Sequence, residues 1–192
     1  MGIRAEQKEK RRQDILDTSL DLFIHKGFSA TSVRDIAGRL KISPALLFHY
    51  FESKDDILVE LLAIALGGVQ MASKMLEDKS TPLKTFEMIA QVILGSFTDY
   101  PMSAPLFLLV HQVSVYDSMP AKAKELVSRA SAVDATIPLI LEGQAKNEIR
   151  AGDPFALSLT YWSAIQGIAE IVAITPGCPV PEGEWIAAIL KK

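Results

Sequence analysis

Gly27-Phe28-Ser29-Ala30-Thr31-Ser32-Val33-Arg34-Asp35-Ile36-Ala37, followed by Gly38-Arg39-Leu40-Lys41-Ile42-Ser43-Pro44-Ala45-Leu46-Leu47-Phe48-His49-Tyr50-Phe51, decides how this chain folds. Gly27 follows Lys26 and offers the left-handed residue that commonly ends a helix. The helix it ends is marked by Leu16, Leu20 and Phe23 at four- and three-residue spacing, with Ile15 and Leu22 widening the stripe. Ser32 is placed to cap a second helix, and Asp35 three residues on completes a capping box. Val33, Ile36, Ala37 and Leu40 then fall at i, i+3, i+4 and i+7, about two turns. Ser43 suits the N-cap of a third helix and Pro44 its first position, where a missing N–H costs nothing. This helix reads from Ala45 to Phe51. Ser53 and Asp56 form another capping box, and Asp55 and Asp56 complement the dipole of a long fourth helix.

Two short helices joined by a turn of about three or four residues, inside a three-helix packet, make a helix-turn-helix. Its second helix would lie in the major groove, with its first residues near base edges. Periodicity alone also admits an ordinary helical hairpin.

Working outward, the fourth helix runs to about Asp78, with Ile57, Leu58, Leu61, Leu62 and Ile64 on it and Gly67-Gly68 inside it. The glycine pair reads either as a soft point or as a place of close packing. A fifth helix opens at Pro82 and runs to Asp99. A sixth ends near Tyr116, and a seventh runs from Pro120 to about Arg150. Gly152-Asp153-Pro154 is a stop, an N-cap and a first helical residue, and starts an eighth that reaches Ile174. A loop with Pro176, Gly177, Pro179 and Pro181 precedes a short last helix carrying Trp185, Ile186, Ile189 and Leu190. The expectation is an all-α chain of about nine helices, with a three-helix head over residues 1–53 and a second helical domain over 54–192.

The bulk properties bound the function. Of 192 residues, 49% are apolar, enough for a large core with apolar surface left for a subunit interface or ligand cavity. The net charge is −3, with no overall basic footprint. The charge is uneven: residues 1–56 hold ten Lys or Arg against nine Asp or Glu. Arg4, Lys8, Lys10, Arg11 and Arg12 cluster at the start, where they suit either a solvated terminus or phosphates. The lone Cys178 has no partner for a disulfide or zinc site, which fits a reducing cytoplasm. The run from Phe155 to Ile174 contains Gln166, Glu170 and several hydroxyls, so it reads as a buried helix rather than a membrane span. There is no G-x-S-x-G elbow, phosphate-binding glycine loop, H-E-x-x-H or cluster of metal ligands, so neither catalysis nor a cofactor or metal is expected.

The stretch from Gly27 to Ala37, with Ile42-Ser43, Leu47-Phe48-His49-Tyr50-Phe51 and Ser53-Lys54-Asp55-Asp56-Ile57-Leu58, resembles the tetracycline-repressor (TetR) family over about the first 60 residues. The resemblance implies a homodimeric transcriptional regulator, most simply a repressor. It would bind double-stranded DNA at a near-palindromic operator and respond to a small-molecule effector. It implies phosphate contacts from Thr31, Ser32 and Lys54. Ser43, Pro44, Ala45 and Leu46 would face the bases, and His49 and Tyr50 phosphates or groove edges. Ala45-Leu46 stands where the family has Gly-Thr, and Phe48 where it has Tyr. Ala45 and Leu46 offer no hydrogen bond, and their natural partner is the thymine methyl group. Phe48 reads equally as core or DNA surface.

The sensor candidates are Met71, Met75, Phe86, Phe97, Met102, Phe107, His111 and Trp162, because Met and aromatic side chains suit an adaptable apolar pocket. With so little charge among them, a largely apolar ligand is expected. The dimer candidates lie on the last two helices: Tyr161, Ile165, Ile168, Val172, Trp185 and Ile189. Ser163, Ala164, Gly167 and Ala169 permit close approach there. The alternative function is a helical interaction or ligand-binding protein without DNA recognition of its own.

Overall fold

The computed structural model describes residues 2–75, 81–175 and 177–192, with the side chains of these residues apart from 3 and 68–75. Among the described residues the chain is all-α. The helices are α1 (Ile3–His25), α2 (Val33–Arg39), α3 (Pro44–Phe48), α4 (Lys54–Met75), α5 (Pro82–Asp99), α6 (Ser103–Val115), α7 (Ala121–Ser128), α8 (Ala132–Ala145), α9 (Pro154–Ile174) and α10 (Gly183–Ala187). They form two compact units, one of Met1–Ile64 with Leu109–Val127, the other of Ala65–Leu108 with Ser128–Lys192.

In the first unit, Gly27 has φ 89° and turns the chain out of α1. The capping box at Ser32 and Asp35 is complete in both directions. Ser43 accepts the Leu46 N–H at 3.1 Å and Pro44 opens α3. Lys41, at φ 55°, takes the left-handed conformation in the turn between α2 and α3, and the Ile42 N–H closes on the Ala37 carbonyl at 3.0 Å. The core side chains are the ones the periodicity selects: Ile15, Leu16, Leu20, Phe23, Ile36, Ala37, Leu47, Ile57 and Leu58 are all buried. Ser19 lies among them with its hydroxyl unpaired.

The helix expected to run from Pro120 into the second unit is divided. The stretch from Pro120 to Arg150 is two helices, because Ser131 caps α8 by accepting the Asp134 N–H at 3.2 Å. A serine hydroxyl bonding locally to the backbone competes with helix continuation and starts a new helix instead. At the far end Asn147, at φ 60°, turns the chain. The Arg150 N–H then reaches the Leu190 carbonyl at 2.9 Å, and Ile149 pairs with Lys191 in an isolated bridge.

The core of this unit gathers around Tyr161 on α9. Its ring meets Phe86 edge-on at 4.8 Å, and its hydroxyl donates to the Phe86 carbonyl at 2.7 Å. Burial pushes the phenol pKa well above the ordinary range. Beside it, the Trp162 indole N–H donates to Thr136 Oγ1 at 3.0 Å, and the Thr136 and Ser158 hydroxyls are 2.8 Å apart. This network lets α8 and α9 bury hydroxyls with their hydrogen bonds made. Helix α4 runs through Gly67 without a break, and a methyl group there would meet nothing within 4 Å.

Gly183 is a different case. Helix α10 lies on α5, and the Gly183 N–H donates to Gln91 Oε1 at 2.9 Å. A methyl group at this position would sit 2.5 Å from Gln91 N and 2.6 Å from the Glu87 carbonyl, both rigid helix backbone. Gly183→Ala is therefore expected to cost about 1–3 kcal/mol, the usual penalty for overpacking. A urea unfolding curve with a lower midpoint and unchanged slope would show it.

Candidate nucleic-acid interface

Helix α3 is five residues long, so its placement depends on what holds each end. On its inner side Leu47 is fully buried. Leu47→Ala would cost roughly 2–5 kcal/mol by the usual large-to-small penalty. Ser43, Pro44, Ala45, Leu46, Phe48 and His49 are all exposed, and Tyr50 is half-buried. Leu46 is 40% and Phe48 51% exposed. The His49 ring stands edge-on to Tyr50 at 5.6 Å.

The corner between α1 and α2 is organised from the other side, by Lys54. Its ammonium donates to the Phe28 carbonyl at 2.7 Å and to the Thr31 carbonyl at 2.8 Å, and lies 4.1 Å from the Phe28 ring centre. Burial lowers the Lys54 pKa from the ordinary lysine range, against an opposing pull from Asp55. Two carbonyls and an aromatic face suit a partly desolvated ammonium. Thr31 itself is buried, and its hydroxyl donates to the Gly27 carbonyl at 2.8 Å. Ser32 is exposed, but its hydroxyl proton is held by Asp35 Oδ2 at 2.6 Å. Asp35 is held well below the carboxylate range, first by the Ser32 hydroxyl and then by Lys26, whose Nζ is 2.9 Å away. Three residues that the resemblance assigns to phosphates thus carry internal bonds here, and their visible work is to fix the corner.

Two further ties were not visible in the sequence. The Arg12 guanidinium makes a bidentate pair with the Glu60 carboxylate and lies over the Phe51 ring at 5.1 Å. It therefore binds α1 to α4 instead of serving the exposed cluster of Arg4, Lys8 and Lys10. Arg39 at the end of α2 reaches Asp21 at 2.8 Å. Both pairs join residues far apart in sequence, and no local pattern announces them.

This head matches known proteins. The family profile described as "Bacterial regulatory proteins, tetR family" covers residues 15–61, from the core of α1 into α4. Over residues 15–61 the chain carries the DNA-binding head described by the TetR-family profile. The HTH-type transcriptional repressor NicS of Pseudomonas putida is 24% identical over 153 residues, 78% of this chain and 70% of that protein. The solved structure of the MbdR regulator from Azoarcus sp. CIB superposes with a TM-score of 0.75 at 20% identity, over 92% of this chain and 93% of the other. AibR, solved with isovaleryl coenzyme A and operator DNA, gives 0.66 at 17% identity, over 93% and 94% of the two chains. The likeness is thus to transcriptional regulators of the TetR family, and these relatives are regulators rather than enzymes.

The remaining candidate residues separate by burial. Tyr161 and Ile165 are fully buried in the second unit's core, so they are turned away from any dimer surface. Ile168, Val172 and Ile189 are half-buried, and Trp185 is 63% exposed. The outward face of α9 is instead Phe155, Leu159, Ser163, Gly167, Ile171 and Ile174, all exposed. Among the sensor candidates, Phe86 and Phe97 are buried core residues, with Phe97 edge-on to Phe107 at 5.5 Å. Met102, Phe107 and Trp162 are half-buried, and His111 is exposed, which removes it from an enclosed apolar site. The side chains of Met71 and Met75 lie outside the described residues. Two open clefts of about 400 and 360 Å³ occur near Asn147 and Lys192, the first lined mainly by polar side chains and the second by polar and apolar residues alike, and neither includes a sensor candidate.

Lys54→Met removes the tie on two carbonyls while keeping the side-chain stem. It is expected to lower stability by about 1–3 kcal/mol, the range for a charge-assisted hydrogen bond lost from a partly buried site. DNA affinity should fall with the slope of log affinity against log salt unchanged. A slope shallower by about one would mean that Lys54 neutralises a phosphate directly.

Proposed function

We infer that the chain is a homodimeric DNA-binding repressor, released from a near-palindromic operator by a small, largely apolar effector. The observation that carries the reading is the exposed face of α3, presented by a corner whose own polar groups are fastened inside. Residues 1–53 serve as the DNA-binding domain and 54–192 as the effector and dimerisation domain, in the cytoplasm. Within the head, Ser43, Pro44, Ala45 and Leu46 face the bases and His49 and Tyr50 the groove edges or backbone. Thr31, Ser32 and Lys54 set the position of the corner.

Dimerisation is supported by α9. It is long and apolar enough to cross a membrane, yet Tyr161, Ile165 and Ala169 pack in the core of a helical unit, and only 22% of its most apolar window is buried. An apolar helix needs cover on its free side, and a second copy of the chain supplies it with two-fold symmetry. Two-fold symmetry in turn asks for a near-palindromic site. An effector is supported by AibR, which carries isovaleryl coenzyme A, and by the half-buried Met102, Phe107 and Trp162 in an apolar unit. A ligand that favours the non-DNA conformation shifts the population away from the operator, and operator must weaken ligand binding by the same factor.

A second reading, an interaction protein without DNA recognition, draws on the apolar character of Leu46 and Phe48 and on the net charge of −3. Selection of bound duplexes from a random pool at about 150 mM salt separates the two, because specific binding survives there while weak electrostatic binding fades. Enrichment of a near-palindromic site, lost on Tyr50→Ala, is the expected outcome. No enrichment by folded, dimeric protein would favour the second reading.

A further inference from the structure

The segment Ser43–Tyr50 carries no Arg, Lys, Asn, Gln, Asp or Glu. Those are the side chains that make bidentate or charge-assisted hydrogen bonds to base edges in the major groove. Of the polar groups that remain, the Ser43 hydroxyl oxygen accepts the Leu46 N–H at 3.1 Å and keeps only its proton to give, while His49 and Tyr50 stand at and beyond the C-terminal end of α3, away from its first residues. Pro44 has no N–H to give. The Thr31 and Ser32 hydroxyls, on the approach to α2, donate to the Gly27 carbonyl and to Asp35. What α3 does offer outward is carbon: Ala45, Leu46 at 40% exposure and Phe48 at 51%. Leaving such side chains in water is unfavourable, and Leu47 occupies the side of the helix that faces the core.

In the major groove, the apolar feature that distinguishes one base pair from another is the C5-methyl group of thymine. We propose that this head reads its operator through pyrimidine C5-methyl groups, packed against Leu46 and Phe48, in place of hydrogen bonds to base edges. The proposal rests on the DNA-binding reading above and names the base feature that this site recognises. One consequence follows from chemistry alone. 5-Methylcytosine places the same methyl group at the same position of a pyrimidine as thymine does. A methylated cytosine opposite Leu46 or Phe48 therefore recovers apolar contact that plain cytosine lacks.

The test uses the full-length chain and the duplex enriched from the random pool, resynthesised with deoxyuridine in place of individual thymidines. Uracil pairs as thymine does and differs only in lacking the methyl group. At the positions facing α3, each substitution is expected to weaken binding by about fourfold, the value of one buried methyl group. Uracil elsewhere in the site is expected to have no effect. Placing 5-methylcytosine at a cytosine that faces α3 should tighten binding by about the same factor, and unchanged binding there would count against the proposal. In Leu46→Ala and Phe48→Ala, both at exposed positions, the thymine and uracil duplexes should bind alike. Equal binding of both duplexes by the unaltered protein overturns the proposal while leaving it a DNA-binding regulator. Failure to enrich any duplex overturns the DNA-binding reading itself, and this proposal with it.

Discussion

The ammonium of Lys54, held between the carbonyls of Phe28 and Thr31, is the contact on which the head depends. It joins the first residue of α4 to the corner where α1 turns into α2, across 26 and 23 residues of sequence. The turn at Gly27 leaves carbonyls without helical partners, and a buried carbonyl without a donor is costly. A lysine at the start of α4 answers that need with a single group. The Phe28 ring faces the charge. With the corner fixed, Ile36, Ala37 and Leu47 bury against a defined surface and α3 is presented at a set angle. Its one turn and a half has too little helical hydrogen bonding to hold itself.

Local features of the fold were legible in the sequence because their partners lie three or four residues apart. The caps at Ser32, Ser43, Ser53 and Asp153 appear in the structure where the sequence put them. The apolar stripe of α1 is buried as its spacing requires. What the sequence left open was long-range or a question of facing. No spacing rule points from Arg12 to Glu60, 48 residues on. The break at Ser131 is masked by the apolar residues on either side of it, although Ser131 and Asp134 have the same spacing as the caps at Ser32 and Ser53.

Helix α9 shows the same limit on the other unit. A helix apolar nearly all round gives no period from which to choose a face, so Tyr161 and Ile165 read as well for an interface as for the core. The structure places them inside because Tyr161 has a carbonyl to bond, at Phe86, and a ring to meet. Phe155, Leu159, Ile171 and Ile174 are then left on the outside. The sensor candidates are ambiguous for a related reason. Met, Phe and Trp serve a core and a cavity equally well, and burial alone sorted Phe86 and Phe97 from Met102 and Phe107.

The central claim is that Lys54 positions the head from within while the apolar face of α3 meets the bases. A crystal structure of the full-length chain on its selected duplex tests this most directly. The account predicts α3 in the major groove of each half-site, with Leu46 and Phe48 against pyrimidine methyl groups and Lys54 still on the Phe28 and Thr31 carbonyls. Lys54 swung onto a phosphate, with Leu46 and Phe48 away from the base edges, would contradict it.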